Sequence, residues 1–227
     1  MDEAKAAHDW RTFLTDIGVI VIGIAITLTG EQAIEALNWG HKVAASESSM
    51  GRELSGDLGW AFEKVSFGAC AKSYLDRLQT AVVDNKPAIA QALYGAPPFL
   101  VRPWQVTSWD AAVASQVPDH LDRERVADYA IAFRYVATER ELQFQLSDDF
   151  AEAITKRLQV TSNPQVTNDQ LVAIEKLREG DHVSRIIAQQ LLDVGKKLGV
   201  APPSGGGGDI RMEMAACEKA VTTAPLN

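Results

Sequence analysis

Two cysteines, Cys70 and Cys217, are the residues of this chain best suited to covalent chemistry. Thiols pair in oxidising compartments and stay reduced in the cytosol. A disulfide between them would close a loop of 147 residues and stabilise the fold by about 4 to 5 kcal/mol on the chain-entropy model. The alternative is two buried free thiols. We expect the disulfide, because both cysteines follow the one strongly apolar segment of the chain.

The other polar residues form no catalytic or metal-binding pattern. Histidine occurs four times, and no two histidines have the spacing of a metal site or of His-Glu-x-x-His. The sequence has no phosphate loop, nucleophile elbow or dinucleotide fingerprint. Three clusters of charged residues are typical of helix faces exposed to solvent. The first is Asp148, Asp149 and Glu152, the second is Glu139 to Glu141, and the third is Asp122 to Arg125. We expect a non-enzymatic protein without a catalytic residue, metal or cofactor.

Net charge excludes one class of partner. The chain carries a formal charge of −8 with 46% hydrophobic residues, and no run of lysine and arginine could neutralise phosphates, so nucleic acid is not expected as a ligand. The composition suits one folded domain of ordinary size together with a membrane anchor.

One strongly apolar stretch covers residues 13–29, with Trp10 before it and Trp39 after it. The two tryptophans are about 29 residues apart, which on a helix is roughly 43 Å, close to the thickness of a bilayer with its headgroups. Tryptophan is enriched at both membrane interfaces. The sequence therefore predicts a transmembrane helix over residues 13–37, in contact with membrane lipid, with Trp10 and Trp39 as interface anchors.

Two other interpretations of this stretch are a core helix and a signal peptide. The uncharged run from Ile17 to Gly30 has about 14 residues, a common length for a core helix of a soluble protein. Polar residues on both flanks argue against that helix. A secretory signal peptide would need a basic start and a small-residue cleavage site, whereas this chain begins Met-Asp-Glu-Ala-Lys.

One face of the predicted span is small or polar. At about 100° per residue, the residues on this face are Asp16, Gly23, Thr27, Gly30 and Glu31. Small residues let a second helix approach closely in lipid. We therefore predict a contact face for a second copy of the chain or for another membrane protein. The alternative is that these glycines only reflect the high glycine content of membrane helices.

Basic residues near the span indicate its orientation. Lys5 and Arg11 precede the span, whereas only Lys42 follows it closely. Because lysine and arginine are in excess on the cytoplasmic side, we expect residues 1–12 in the cytoplasm and the main domain outside it. That side is also where the two cysteines would pair.

The start of the chain resembles a group of uncharacterised bacterial proteins. The likeness rests on the run from Asp16 to Ala25, followed by Glu31-Gln32 and then Asn38-Trp39. Members open with an acidic residue, an Ile/Val/Gly-rich membrane run and a polar exit containing tryptophan. The resemblance covers about the first quarter of the chain and implies a single-pass inner-membrane protein with a periplasmic helical domain. It implies no activity.

Beyond the span, apolar residues recur at helical spacing nearly everywhere, which predicts an all-α fold class. We expect the transmembrane helix to continue into an extracytoplasmic bundle of about four long helices, over residues 38–200. The predicted helices run to about residue 66, from Cys70 to near Asn85, from Asp119 to near Thr161, and from Asn168 to Leu198. Residues 201–227 form a Gly-rich spacer and a tail that Cys217 would dock.

Residues 95–118 combine helix-breaking prolines with bulky apolar side chains, including Trp104 and Trp109. A segment this apolar must cover other apolar surface. One interpretation is a lid that seals the end of the bundle, and the alternative is a pocket lined by the two tryptophans. Ser108 would cap a short helix within this segment, and Asp119 would cap the helix after it.

These features favour a structural or interaction protein, either a homo-oligomer or an accessory subunit of a larger membrane complex. The alternative is a periplasmic small-ligand sensor that holds its ligand beneath Trp104 and Trp109 and signals to a membrane partner. An enzyme whose catalytic groups converge from distant helices has no sequence feature in its favour.

Overall fold

The computed structural model describes residues 3–86, 90, 93, 101–158, 164–203 and 217. These residues form helices and turns and contain no β-strand, which confirms the predicted all-α fold class. The chain divides into two units, Met1–Glu47 and Ser48–Asn227. Helix α1, Glu3–Val83, contributes residues to both units.

Within its described residues, the second unit contains three further α-helices. Helix α2 covers Thr107–Ala114, α3 covers Arg123–Leu158 and α4 covers Pro164–Leu198, with a short 3₁₀ helix at Val117–His120. Helices α3 and α4 pack along each other. Their direction is antiparallel, because Leu146 meets Gly180 while Glu139, earlier on α3, meets Ser184, later on α4.

Apolar side chains of α1, α3 and α4 fill the interior of the second unit. Toward the end of α1, Tyr74 and Leu78 lie in a cluster with Leu146 of α3 and with Ile174 and Leu177 of α4. The Tyr74 hydroxyl donates a 2.8 Å hydrogen bond to the Leu93 carbonyl, which satisfies its polar end in the core. Further buried residues, nearer the other end of the unit, are Met50, Leu54, Leu58, Phe133, Val136 and Leu191.

Helix α1 is longer than the sequence predicts. The predicted break between residue 66 and Cys70 is wrong, because α1 continues through Gly68 to Val83. A Cβ atom at Gly68 would lie 2.6 Å from Arg185 Cδ of α4. The glycine therefore gives room for a neighbouring helix, and packing against that helix offsets its low helix propensity. The predicted end near Asn85 is confirmed, since Asn85 has φ 53° and the Lys86 N–H donates to the Ala81 carbonyl.

Three predicted helix starts are wrong. Ser108 lies inside α2, and its backbone N–H donates to the carboxylate of Glu53 on α1 at 3.1 Å, so the cap comes from another helix. Asp119 lies in the 3₁₀ helix, whereas Asp122 accepts hydrogen bonds from the first N–H groups of α3. Helix α4 begins at Pro164 rather than at Asn168, and proline at a first helical position lacks only an N–H that would be unpaired there.

Candidate functional site

The apolar stretch of α1 is exposed on every side of the helix. In the first unit, Val19, Ile20, Val21 and Ile22 are successive residues, and each is 58 to 66% exposed. Four successive residues of a helix point in four directions about 100° apart. A core helix of a soluble protein would bury the side chains that point in one of these directions. From Ile17 onward, α1 is the one described helix long and apolar enough to cross a membrane.

The two predicted interface anchors both make aromatic contacts. The Trp10 ring is tilted against Phe13 with ring centroids 5.7 Å apart. The Lys42 ammonium lies 4.5 Å from the centroid of the Trp39 ring, which is a cation–π distance. An aromatic ring with a cation above it suits the boundary between hydrocarbon and water.

No described side chain lies close to the two glycines of the predicted contact face. A Cβ atom at Gly23 or at Gly30 would meet nothing within 4 Å. The Thr27 hydroxyl donates to the Gly23 carbonyl at 2.9 Å, so its polar group is satisfied inside the helix. Glu31 is exposed, and the side chain of Asp16 lies outside the described part of the chain.

Cys70 of α1 and Cys217 of the C-terminal tail are joined as a disulfide, with their Cα atoms 6.3 Å apart. Cys217 is buried. The bond attaches the tail to α1, as the sequence predicts. The glycine run at 205–208 lies outside the described residues.

A cavity of about 170 Å³ lies in the second unit between α1, α3, α4 and the segment 101–106. Its apolar wall includes Phe67 of α1 and Leu146 and Phe150 of α3. Trp60 and Trp104 meet edge to face at one side, with ring centroids 5.8 Å apart. Trp104 therefore lines this cavity, whereas Trp109 stacks on Phe133 at 6.0 Å and is not among the lining residues.

Charged groups also line the cavity, and they are Glu63, Lys64, Arg102, Glu139 and Asp181. Lys64 of α1 lies 3.3 Å from Asp181 of α4, and Asp181 also accepts a 3.0 Å hydrogen bond from Arg185. Arg102 pairs with Glu63 of α1 at 2.7 Å. Each of these cations has a carboxylate partner within the second unit.

Gln143 fixes the segment that bears Arg102 and Trp104. The side-chain oxygen of Gln143 accepts the Arg102 N–H at 2.6 Å, and its amide nitrogen donates to the Arg102 carbonyl at 3.0 Å. On α1, Asp57 accepts the N–H of Gln105. These contacts hold the 101–106 segment over the cavity at two points.

Glu139 is the most unusual polar group of the cavity wall. Its side chain is buried, with the residue 2% exposed, and Oε2 accepts a 2.7 Å hydrogen bond from the Ser184 hydroxyl. The second oxygen, Oε1, has no hydrogen-bond partner in the part of the chain that the structure describes. Burial raises the pKa of Glu139 to about 7, although Ser184 and the nearby Lys64 charge lower it.

The interpretation of Glu139 as part of a solvated face is wrong. Counting along α3, Glu139 follows the buried residues Phe133 and Val136 at helical spacing, so it falls on the buried stripe. Asp181 and Ser184 of α4 likewise lie between buried Leu177 and buried Ala188. Polar residues in register with an apolar stripe are the sequence signal that identifies this wall.

Comparison with known proteins finds no family model, curated protein or solved structure that matches the chain. Among the described residues, no three His, Cys, Asp or Glu side chains lie close enough together to hold a metal ion.

Proposed function

We propose that the protein is a single-pass membrane protein whose α1 anchors a helical domain to the bilayer. The observation that carries the proposal is the exposure of apolar side chains on every side of α1 between Val19 and Leu37. In water this surface would drive aggregation, whereas lipid solvates it at no cost. Every backbone N–H and C=O within such a helix is paired internally, as the hydrocarbon requires.

The proposed orientation puts the N-terminus in the cytoplasm and the second unit in the periplasm of a bacterial inner membrane. It rests on Lys5 and Arg11 before the span, and on the Cys70–Cys217 disulfide, which suits an oxidising compartment. The resemblance of the first quarter of the chain to bacterial single-pass proteins points the same way. An alkaline phosphatase fused after the last residue would be active in this orientation and inactive in the reverse one.

The proposed role is a structural or interaction one, without catalysis. The contact face, defined by Asp16, Gly23, Thr27, Gly30 and Glu31, would pair with the same face of a second copy or with another membrane protein. Support comes from the empty space around Gly23 and Gly30 and from the general use of small residues where membrane helices touch.

Membrane anchoring is tested by extraction of isolated membranes with alkaline carbonate. Ile22→Arg with Ile26→Arg puts two cations at the middle of the proposed span, at a cost of roughly 5 to 7 kcal/mol on insertion scales. The control is Ile131→Arg with Ile186→Arg, which changes two exposed isoleucines of the second unit. We expect the unaltered chain and the control to stay in the pellet and the span variant to be released. Release of the unaltered chain would contradict the proposal.

Self-association is tested with glycine variants in a mild detergent. Gly23→Leu with Gly30→Leu fills the contact face, whereas Gly18→Leu lies on the opposite side of α1 and also has open space around it. Crosslinking should give oligomers, or a co-purifying partner, for the unaltered chain and for Gly18→Leu but not for the double variant. A monomer without a partner in every case would reject the interaction role and leave the anchoring intact.

A further inference from the structure

The cavity of the second unit has the size of a small ring compound. An engineered cavity of about 150 Å³ lined by apolar side chains binds benzene, and this cavity holds about 170 Å³. Phe67, Leu146 and Phe150 supply an apolar surface of the kind that covers most of a small ligand. Trp60 and Trp104 border the same space.

One polar atom in the wall lacks a partner. Oε1 of Glu139 makes no hydrogen bond to any described residue, although the carboxyl group is buried and its other oxygen accepts a hydrogen bond from Ser184. A buried acceptor without a donor destabilises the fold, and such groups in native proteins usually meet a ligand, an ion or water. Glu139 therefore provides an acceptor that the protein itself does not use.

The ion pairs around Glu139 indicate which charge a ligand group beside its carboxylate would carry. On α1, Lys64 is paired with Asp181, and Glu63 is paired with Arg102 of the covering segment. On α4, Arg185 also pairs with Asp181. Among the described residues, each of these cations forms an ion pair with Glu63 or Asp181, whereas no ion pair involves Glu139.

We propose that this cavity binds a small primary amine bearing one ring, with its ammonium group donating to Glu139 Oε1 and its ring against Phe67, Leu146 and Phe150. The ammonium supplies a donor for Oε1 and a cation in direct contact with the Glu139 carboxylate, and charge-assisted hydrogen bonds are the strong ones. The site belongs to the second unit and does not depend on whether α1 crosses a membrane. Gln143 and Asp57 act as positioning residues, because they hold the 101–106 segment that carries Trp104.

Calorimetric titration of the full chain in a mild detergent, with the detergent alone as blank, tests the proposal. The probes are benzylamine, benzyl alcohol and benzoate, which share a ring and differ in charge. We expect benzylamine to bind at least about tenfold more tightly than benzyl alcohol, and benzoate to bind least. Equal binding of benzoate and benzylamine, or no binding of benzylamine, would overturn the proposal.

Two variants locate the binding at Glu139. Glu139→Gln removes the charge with little change of shape, and Glu141→Gln makes the same change at an exposed position on the same helix. Benzylamine affinity should fall about tenfold or more in Glu139→Gln and stay the same in Glu141→Gln. If both variants bind as the unaltered chain does, the amine does not use Glu139.

Two further measurements keep the proposal testable if Glu139→Gln unfolds. Ser147→Phe places a ring at an exposed position of the cavity wall, and it should abolish benzylamine binding while leaving the melting curve unchanged. In the unaltered chain, affinity should rise as the pH is raised through about 7, because the carboxyl group must ionise to accept the ammonium. Binding that survives Ser147→Phe, or that weakens over this pH range, would contradict the site.

Discussion

The Ser184 hydroxyl of α4 donates a 2.7 Å hydrogen bond to Oε2 of Glu139 on α3, and both residues are buried. A polar contact at this depth fixes how the two helices align, because a shift along either axis would leave the carboxyl group without its donor. The same carboxyl group keeps Oε1 without a hydrogen-bond partner among the described residues. Helix alignment and the proposed amine site therefore depend on one carboxyl group.

Asp57 should make stability fall as the pH rises. Burial raises the pKa of Asp57 from 3.8 to about 8, and the charge of Glu53 adds to the rise, whereas the hydrogen bond from Gln105 lowers it. Between these pH values the unfolded chain is ionised and the folded chain is protonated, so unfolding releases a proton. The stabilisation by Asp57 is complete below about pH 4 and is lost as the pH rises through 8. Glu139 has an effect of the same sign, which is lost as the pH rises through about 7.

Asp57→Asn imitates the protonated acid at every pH. Urea unfolding should show the variant to be more stable than the unaltered chain by a few kcal/mol at pH 9 and similar to it at pH 4. Asp110→Asn, at an exposed position of α2, is the control and should leave the pH profile unchanged. If the stability of Asp57→Asn changes with pH in the same way as that of the unaltered chain, Asp57 is not the source of the pH dependence.

Glu53 should stabilise α2 from outside that helix. Glu53→Ala removes the acceptor for the Ser108 N–H, and the free energy of unfolding should fall by about 1 to 2 kcal/mol, as for the loss of an N-cap. Glu53→Gln retains an acceptor oxygen and should recover most of the loss. Equal losses in the two variants would show that the hydrogen bond contributes nothing.

Two glycines should respond to alanine with opposite signs. A Cβ atom at Gly195 would lie 2.6 Å from Leu58 Cδ1, which is buried, so Gly195→Ala should destabilise the domain by about 1 to 3 kcal/mol. Gly51 has open space around its Cβ position, and Gly51→Ala should stabilise α1 by about 0.5 to 1 kcal/mol. Thermal melting of the two variants measures both effects. If both substitutions destabilise the protein, helix propensity does not decide the effect of alanine at Gly51.

The disulfide should be the main attachment of the C-terminal tail. Cys217→Ala should lower the free energy of unfolding by about 2 to 5 kcal/mol and should make the melting temperature independent of reductant. The unaltered chain should lose a similar amount when reduced and should migrate differently on non-reducing gels. A single reductant-insensitive melting temperature for the unaltered chain would show that Cys70 and Cys217 are not joined in the isolated protein.

Periodicity predicts the helices of this fold well because each long helix buries a stripe of apolar residues, as in α3 around Phe133 and Val136. It predicts their ends less well, because the ends depend on distant residues. Glu53 caps α2 from α1, and Arg185 packs over Gly68, where the sequence predicts that α1 ends. Neither contact has a local signal.

The cavity was only partly predictable. The sequence places Trp104 in a lid or pocket segment, and Trp104 lines the cavity. The charged wall is not predicted, because Glu139 is expected on a solvated face and no sequence pattern singles out Asp181, although each falls in register with buried neighbours. Composition alone does not show which charged side chains face inward, since that depends on where three helices converge.

The most direct test of membrane anchoring is the environment of residue 24. A nitroxide attached to Ile24→Cys, in the full chain reconstituted into lipid vesicles, reports collisions with oxygen, which dissolves in hydrocarbon, and with a nickel chelate, which stays in water. We predict frequent collisions with oxygen and few with the chelate at this position, and the reverse at Val172→Cys, an exposed site of the second unit. Frequent collisions with the chelate at residue 24 would contradict the account.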